Sequence, residues 1–149
     1  MEILSLRLFI LVVFSLAISI IDIKKLRIPD ALLISCFVLL VFFDITGNQN
    51  ILNGYSFLPQ LSAAFLWFAV FYAIHVYTDG LGFGDVKYAA LLGYALGLEK
   101  SIIAFLFTAF SAIFLYIIGI HVFKWEKTAK LPFAPFLTFG ALAAELLKF

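Results

Sequence analysis

The chain has 149 residues, of which 65% are hydrophobic, 18% aromatic and only 13% charged, with a mean hydropathy of +1.15. Soluble domains carry about 25% charged residues, so this composition excludes an ordinary soluble globular protein and makes lipid the solvent for most of the chain. The formal net charge of +1 excludes a nucleic-acid-binding field and an acidic tail.

At roughly 150 residues the chain makes one domain, 1–149, and a crossing helix uses about 20 residues. The expected fold is therefore all-α and polytopic, with about six spans and no large extramembrane domain. Arg7 precedes an apolar stretch, but no small-residue cleavage site precedes Asp22, so the N-terminus reads as the first span rather than a signal peptide. The first segment runs from about Leu8 to Ile21 and ends at Asp22, before the charged turn Lys24-Lys25-Leu26-Arg27-Ile28-Pro29-Asp30. Pro29 pushes Ile28 out of the helical region and opens the next helix.

The second segment, Ala31 to Phe43, is short for a span and holds the lone Cys36. A single cysteine excludes an internal disulfide and a CxxC zinc site and reads as a small apolar filler. A polar loop is expected from Asp44 to Asn50, then a full-length third segment, Leu58 to Tyr77. The stretch Thr78-Asp79-Gly80-Leu81-Gly82-Phe83-Gly84-Asp85-Val86-Lys87 is too rich in glycine for regular helix. A short fourth segment restarts near Asp85 and ends before Glu99, the fifth runs from Ser101 to Phe123, and the sixth, also short, follows Leu131-Pro132-Phe133-Ala134-Pro135-Phe136. No internal repeat is apparent.

Six segments put both termini on one side. Lys24, Lys25, Arg27, Lys87, Lys124, Lys127 and Lys130 then share one face, against Arg7, Lys100 and Lys148 on the other. The positive-inside rule makes the first face cytoplasmic and puts both termini outside. Asp22, Asp30, Asp79 and Asp85 fall on the cytoplasmic face.

A carboxylate in or beside a bilayer is costly, which marks it as a functional candidate. Asp22 ends an apolar helix, where it reads equally well as a helix-end charge paired with Lys25 or Arg27. Asp85 starts a helix behind two glycines, where the helix dipole favours its ionised form; as a bare N-cap it would be unremarkable in type. Together the two can share a proton, one acting as base towards water and the other as acid towards a carbonyl, which is aspartic-protease chemistry. His75 and His121 lack metal-ligand spacing, and no phosphate- or dinucleotide-binding fingerprint is present.

Asp22 through Ile28-Pro29-Asp30, then Gly82-Phe83-Gly84-Asp85-Val86-Lys87, then Leu131 to Phe136 resemble, in order, the three motifs of the type IV prepilin peptidases and archaeal preflagellin peptidases. These are GxGD-type intramembrane aspartic peptidases. Ala134 stands where the late motif usually has Gly. The resemblance implies Asp22 and Asp85 as the catalytic pair. Gly82, Gly84, Lys87, Asp30, Asp79, Pro29, Pro132 and Pro135 are the expected supporting residues, with neither metal nor cofactor. Lys87 reads equally as a group that orients the carboxylate of the pair or meets the substrate's backbone and as a snorkelling interface lysine.

The implied substrate is a prepilin- or preflagellin-like precursor with a short basic leader, cut at the cytoplasmic face. Larger members carry a cysteine-rich loop linked to N-methylation, which these residues lack, so the expectation is cleavage without methylation. The leader's cations are expected to meet anionic membrane lipids, with Asp30, Asp79 or Glu126 nearby. The competing expectation is a non-catalytic scaffold of a pilus or secretion machine. A small transporter would rest on His75 alone.

Overall fold

The computed structural model describes residues 2–47, 57–78, 80–121 and 132–147. These are helical, in the order α1 (Glu2–Lys25), α2 (Asp30–Gly47), α3 (Phe57–Tyr77), α4 (Phe83–His121) and α5 (Ala134–Leu146). There is no strand among the described residues, so the all-helical expectation holds. Two helices have a stretch long and apolar enough to cross a membrane, Leu58–Tyr77 and Phe83–Gly119.

Large apolar side chains such as Phe9, Phe65, Phe110 and Leu146 point outwards. The interior instead holds small and polar residues among its Leu and Tyr: Ser15, Ser19, Asp22, Asp44, Ser101, Thr108 and Thr138 are all buried. On α1, Leu11, Ser15, Ile18 and Asp22 recur at the spacing of one helix face and form its buried side. Among the described residues the main helix contacts are α1 with α2, α1 with α5, α2 with α4, α3 with α4, and α4 with α5.

The expected fourth and fifth segments are two helical stretches that follow one another directly in α4 and are separated by a kink at Gly97 (φ 74°, ψ 178°). That backbone conformation is essentially open to glycine alone. The break divides α4 into a short arm, 83–96, and a long arm, 98–121. At a break the preceding carbonyls lose their helical partners, and Arg7 supplies substitutes. Its Nη2 donates to the carbonyls of Ala95 (3.0 Å) and Tyr94 (3.4 Å).

The second segment differs from expectation. Asp44 does not open a loop but lies inside α2, buried, with its Oδ1 3.2 Å from Arg7 Nη1 and its Oδ2 accepting from Tyr94 Oη at 2.9 Å. Gln60 of α3, in the amide orientation that satisfies both neighbours, donates to Asp44 Oδ2 at 3.2 Å and accepts from Arg7 Nη1 at 3.1 Å. With its charge matched in this way, Asp44 does not terminate the helix, and α2 reaches 18 residues. The arrangement ties α1, α2, α3 and the short arm of α4 together at one end of the bundle. Asp22, Asp30 and Asp85 stand at the other end.

Candidate active site

Asp22 belongs to the last turn of α1 and is 5% exposed. Its Oδ2 accepts a hydrogen bond from the backbone N–H of Ala134 at 3.1 Å. Ala134 is the first residue of α5, whose N-cap, Phe133, offers no side-chain cap. Asp22 therefore caps α5 from a different helix, and its carboxylate meets the positive end of the α5 dipole. The prolines of the late motif complete the picture. Pro135 sits in the first turn and has no N–H to leave unsatisfied, while Phe136 N–H donates to the Phe133 carbonyl at 3.1 Å. Pro132 lies just before the helix.

Asp85 is in the first turn of α4. Its N–H donates to the Gly82 carbonyl (3.0 Å), and its Oδ2 accepts from the Gly82 N–H (3.2 Å), so the glycine turn folds back onto the carboxylate. Its other oxygen, Oδ1, is buried without a hydrogen-bond partner. His75 Nδ1 donates to the Leu81 carbonyl at 2.6 Å and steadies the same turn from α3. Gly84 admits the approach of the α1–α2 turn, since a Cβ there would stand 3.0 Å from the Ile28 Cβ.

That turn closes the site from the other side. Leu26 adopts the left-handed conformation (φ 49°), which costs a non-glycine residue roughly 1–2 kcal/mol, and its N–H donates to the Asp22 carbonyl at 2.7 Å. Pro29 then precedes α2, with its carbonyl accepting from Leu32 N–H at 3.1 Å. A cavity of about 350 Å³ results, lined by Asp22, Leu26, Arg27, Ile28, Asp30, Gly82, Phe83, Gly84 and Asp85. Both aspartates face it, near enough for the charge of Asp22 to act on Asp85.

Lys87 Nζ donates to both oxygens of Asp30, 2.8 Å each, and lies 5.0 Å from the centroid of the Phe83 ring. Lys87 thus bridges α4 and the start of α2. It also changes the reading of Asp30, which is engaged by a cation of its own chain. Asp79, Glu126, Lys124, Lys127 and Lys130 lie outside the described residues. Cys36 is buried in α2, and no group of metal-ligating side chains occurs among the described residues.

The Ala134 amide and the left-handed Leu26 carry no mark in the sequence. A main-chain N–H has no signature in residue type, and Leu is not a residue that advertises a left-handed turn.

The sequence profile of the type IV leader peptidase family matches residues 9–118. The chain belongs to that family. The match runs from within α1 to within α4 and takes in both aspartates. The family member is also similar to two proteins named prepilin leader peptidase/N-methyltransferase. One, from Pectobacterium carotovorum subsp. carotovorum, is 32% identical over 89% of this chain and 48% of its own length. The other, from Bacillus subtilis (strain 168), is 30% identical over 95% of this chain and 57% of its own length. The chain thus spans about half the length of these relatives. No solved structure matches it.

Proposed function

We propose that this leader peptidase family member is a membrane aspartic endopeptidase that removes the short basic leader of prepilin-like or preflagellin-like precursors. The observation that carries the reading is the shared cavity, into which α1 and α4 each bring one aspartate. The relatives' names supply the substrate class.

In the proposed reaction the pair holds one proton, because like charges at close range do not both ionise readily. The ionised carboxylate takes a proton from water as its oxygen attacks the scissile carbonyl carbon. The protonated carboxyl gives its proton to the carbonyl oxygen. Collapse of the resulting diol breaks the C–N bond, and the amine leaves with a proton returned by the pair. The unpartnered Oδ1 of Asp85 is free to hold the water, while Asp22 is fixed by the α5 amide. The cavity falls within the usual range of about 300–1,000 Å³ for ligand sites and suits a few residues of extended peptide.

About six spans, with the short arm of α4 and α5 lying shallow, remain the proposed membrane arrangement. The charge count supports a site at the cytoplasmic face, where a leader would lie. The proposal for these 149 residues is cleavage without methylation, since the resemblance ties methylation to a cysteine-rich loop and their one cysteine is buried in α2.

The test is co-expression with candidate precursors bearing basic leaders. The wild-type chain is expected to shorten a precursor, and Asp22→Asn and Asp85→Asn, inserted in the membrane at normal levels, to leave it uncut. Full cleavage by either variant would exclude the dyad. Assembly function unaffected by both substitutions would favour the scaffold.

A further inference from the structure

One helical turn behind each group of the site lies a hydroxyl. Ser19 precedes Asp22 by three residues on α1, Tyr88 follows Asp85 by three on α4, and Thr138 follows Ala134 by four on α5. At that spacing each shares a helix face with its site group. All three are buried, Tyr88 completely.

They meet at Thr138, whose Oγ1 lies 2.6 Å from Ser19 Oγ, 2.8 Å from Tyr88 Oη and 3.2 Å from the Ser15 carbonyl oxygen. Ser19 Oγ also donates to that carbonyl at 2.8 Å. A threonine hydroxyl has one proton to give. If Thr138 gives it towards α1, to Ser19 or to the Ser15 carbonyl, Tyr88 donates to Thr138, and every member of the group has a partner. One threonine on α5 then joins α1 to α4.

The join matters because α1 and α4, which carry the two aspartates, pack against each other far less than each packs against α5, and Arg7 ties them at the end away from the aspartates. Apolar contacts through α2 and α5 would hold them together loosely in register. Hydrogen bonds between fixed atoms hold a distance, and in a bilayer such bonds are a main means of fixing helices against one another. We propose that Ser19, Thr138 and Tyr88 are positioning residues, a hydroxyl layer that sets the separation of Asp22 and Asp85, with Thr138 as its hub. The inference rests on the aspartic-dyad reading for its catalytic consequence, but the spacing itself can be measured without cleavage.

Thr138→Val keeps the shape and removes the hydroxyl. It is expected to lower kcat at least tenfold, since small misplacements of reacting groups are costly, and to leave KM unchanged because the layer does not touch the cavity. Thr138→Ser is expected to restore kcat. Tyr88→Phe and Ser19→Ala are expected to lower it, with each double variant that includes Thr138→Val no worse than Thr138→Val alone. Should Thr138→Val fail to insert, Tyr88→Phe, which keeps the buried ring, decides the matter by the same kcat and KM readout.

The independent readout is cross-linking of Asp22→Cys to Asp85→Cys by a short bifunctional thiol reagent, with Cys36→Ala as background. The cross-link is expected in the parent and with Thr138→Ser, and to slow at least tenfold with Thr138→Val. Wild-type kcat and unchanged cross-linking in the Thr138→Val protein would overturn the proposal. Unchanged cleavage by Asp22→Asn or Asp85→Asn would overturn the dyad instead, and the cross-linking result would still decide the layer.

Discussion

Asp22 is a helix-end residue for α1 and a cap for α5, and the second role is what fixes its carboxylate. Gly84 shows the same economy of position. Its missing Cβ lets the Ile28–Pro29 turn lie against the start of α4, which brings the end of α1 within reach of Asp85. Gly84→Ala is expected to push these two turns apart at an overpacking cost of about 1–3 kcal/mol and to remove most cleavage activity, checked by precursor processing alongside thermal unfolding in detergent. The Lys87–Asp30 bridge is half-exposed, and such pairs contribute about 0–1 kcal/mol. Lys87→Gln or Asp30→Asn is therefore expected to leave the melting temperature almost unchanged. Each should slow cleavage by loosening the cavity wall, and exchanging the two charges, Lys87→Asp with Asp30→Lys, should recover part of the rate.

Among the elements, α4 carries the most. Its short arm bears Asp85 at one end and, at the other, the carbonyls that Arg7 caps next to the Gly97 break. Arg7 sits on α1, 15 residues before Asp22, which at about 1.5 Å per residue is roughly 22 Å along the helix. The arginine thus anchors the far ends of the two helices whose near ends carry Asp22 and Asp85. Asp44 is 7% exposed, and removing one partner of a buried ion pair costs about 3–5 kcal/mol. Asp44→Asn is expected to lower the melting temperature strongly. Arg7→Met combined with Asp44→Leu is expected to cost less than the sum of the single changes, a comparison that a double-mutant cycle in lipid nanodiscs provides.

For the molecule as a whole, the mismatch between element length and bilayer thickness is the governing quantity. At about 1.5 Å per residue, the 13 residues of α5 reach about 20 Å, against a hydrocarbon core of about 30 Å. The short arm of α4 is similar. These two pieces beside the site are thus too short for a full crossing, and a bilayer accommodates such pieces by thinning around them. Cleavage rate in vesicles is accordingly expected to be higher in short-chain than in long-chain lipids, with protein insertion measured in parallel. Equal rates across chain lengths would argue against a shallow site.

Much of this was present in the one-dimensional chain. Composition pointed to lipid as solvent, glycine density to a break before α4, and Pro29 to a helix start, because each of these follows from a residue's own chemistry and its immediate neighbours. The order of Asp22, the Gly82–Asp85 run and the Pro132–Pro135 stretch was enough to suggest which carboxylates to watch. Other features depended on partners far away in sequence. Asp44 reads as a loop residue until Arg7, Gln60 and Tyr94 surround it. Lys87 shows nothing of its pairing with Asp30 until the fold brings that residue in from 57 positions away. Ser19, Tyr88 and Thr138 are ordinary helix residues until one buried oxygen joins them. Charge and hydrogen bonding act through space and are decided by what burial brings together, so only the packed helices could show which polar groups hold the site in shape.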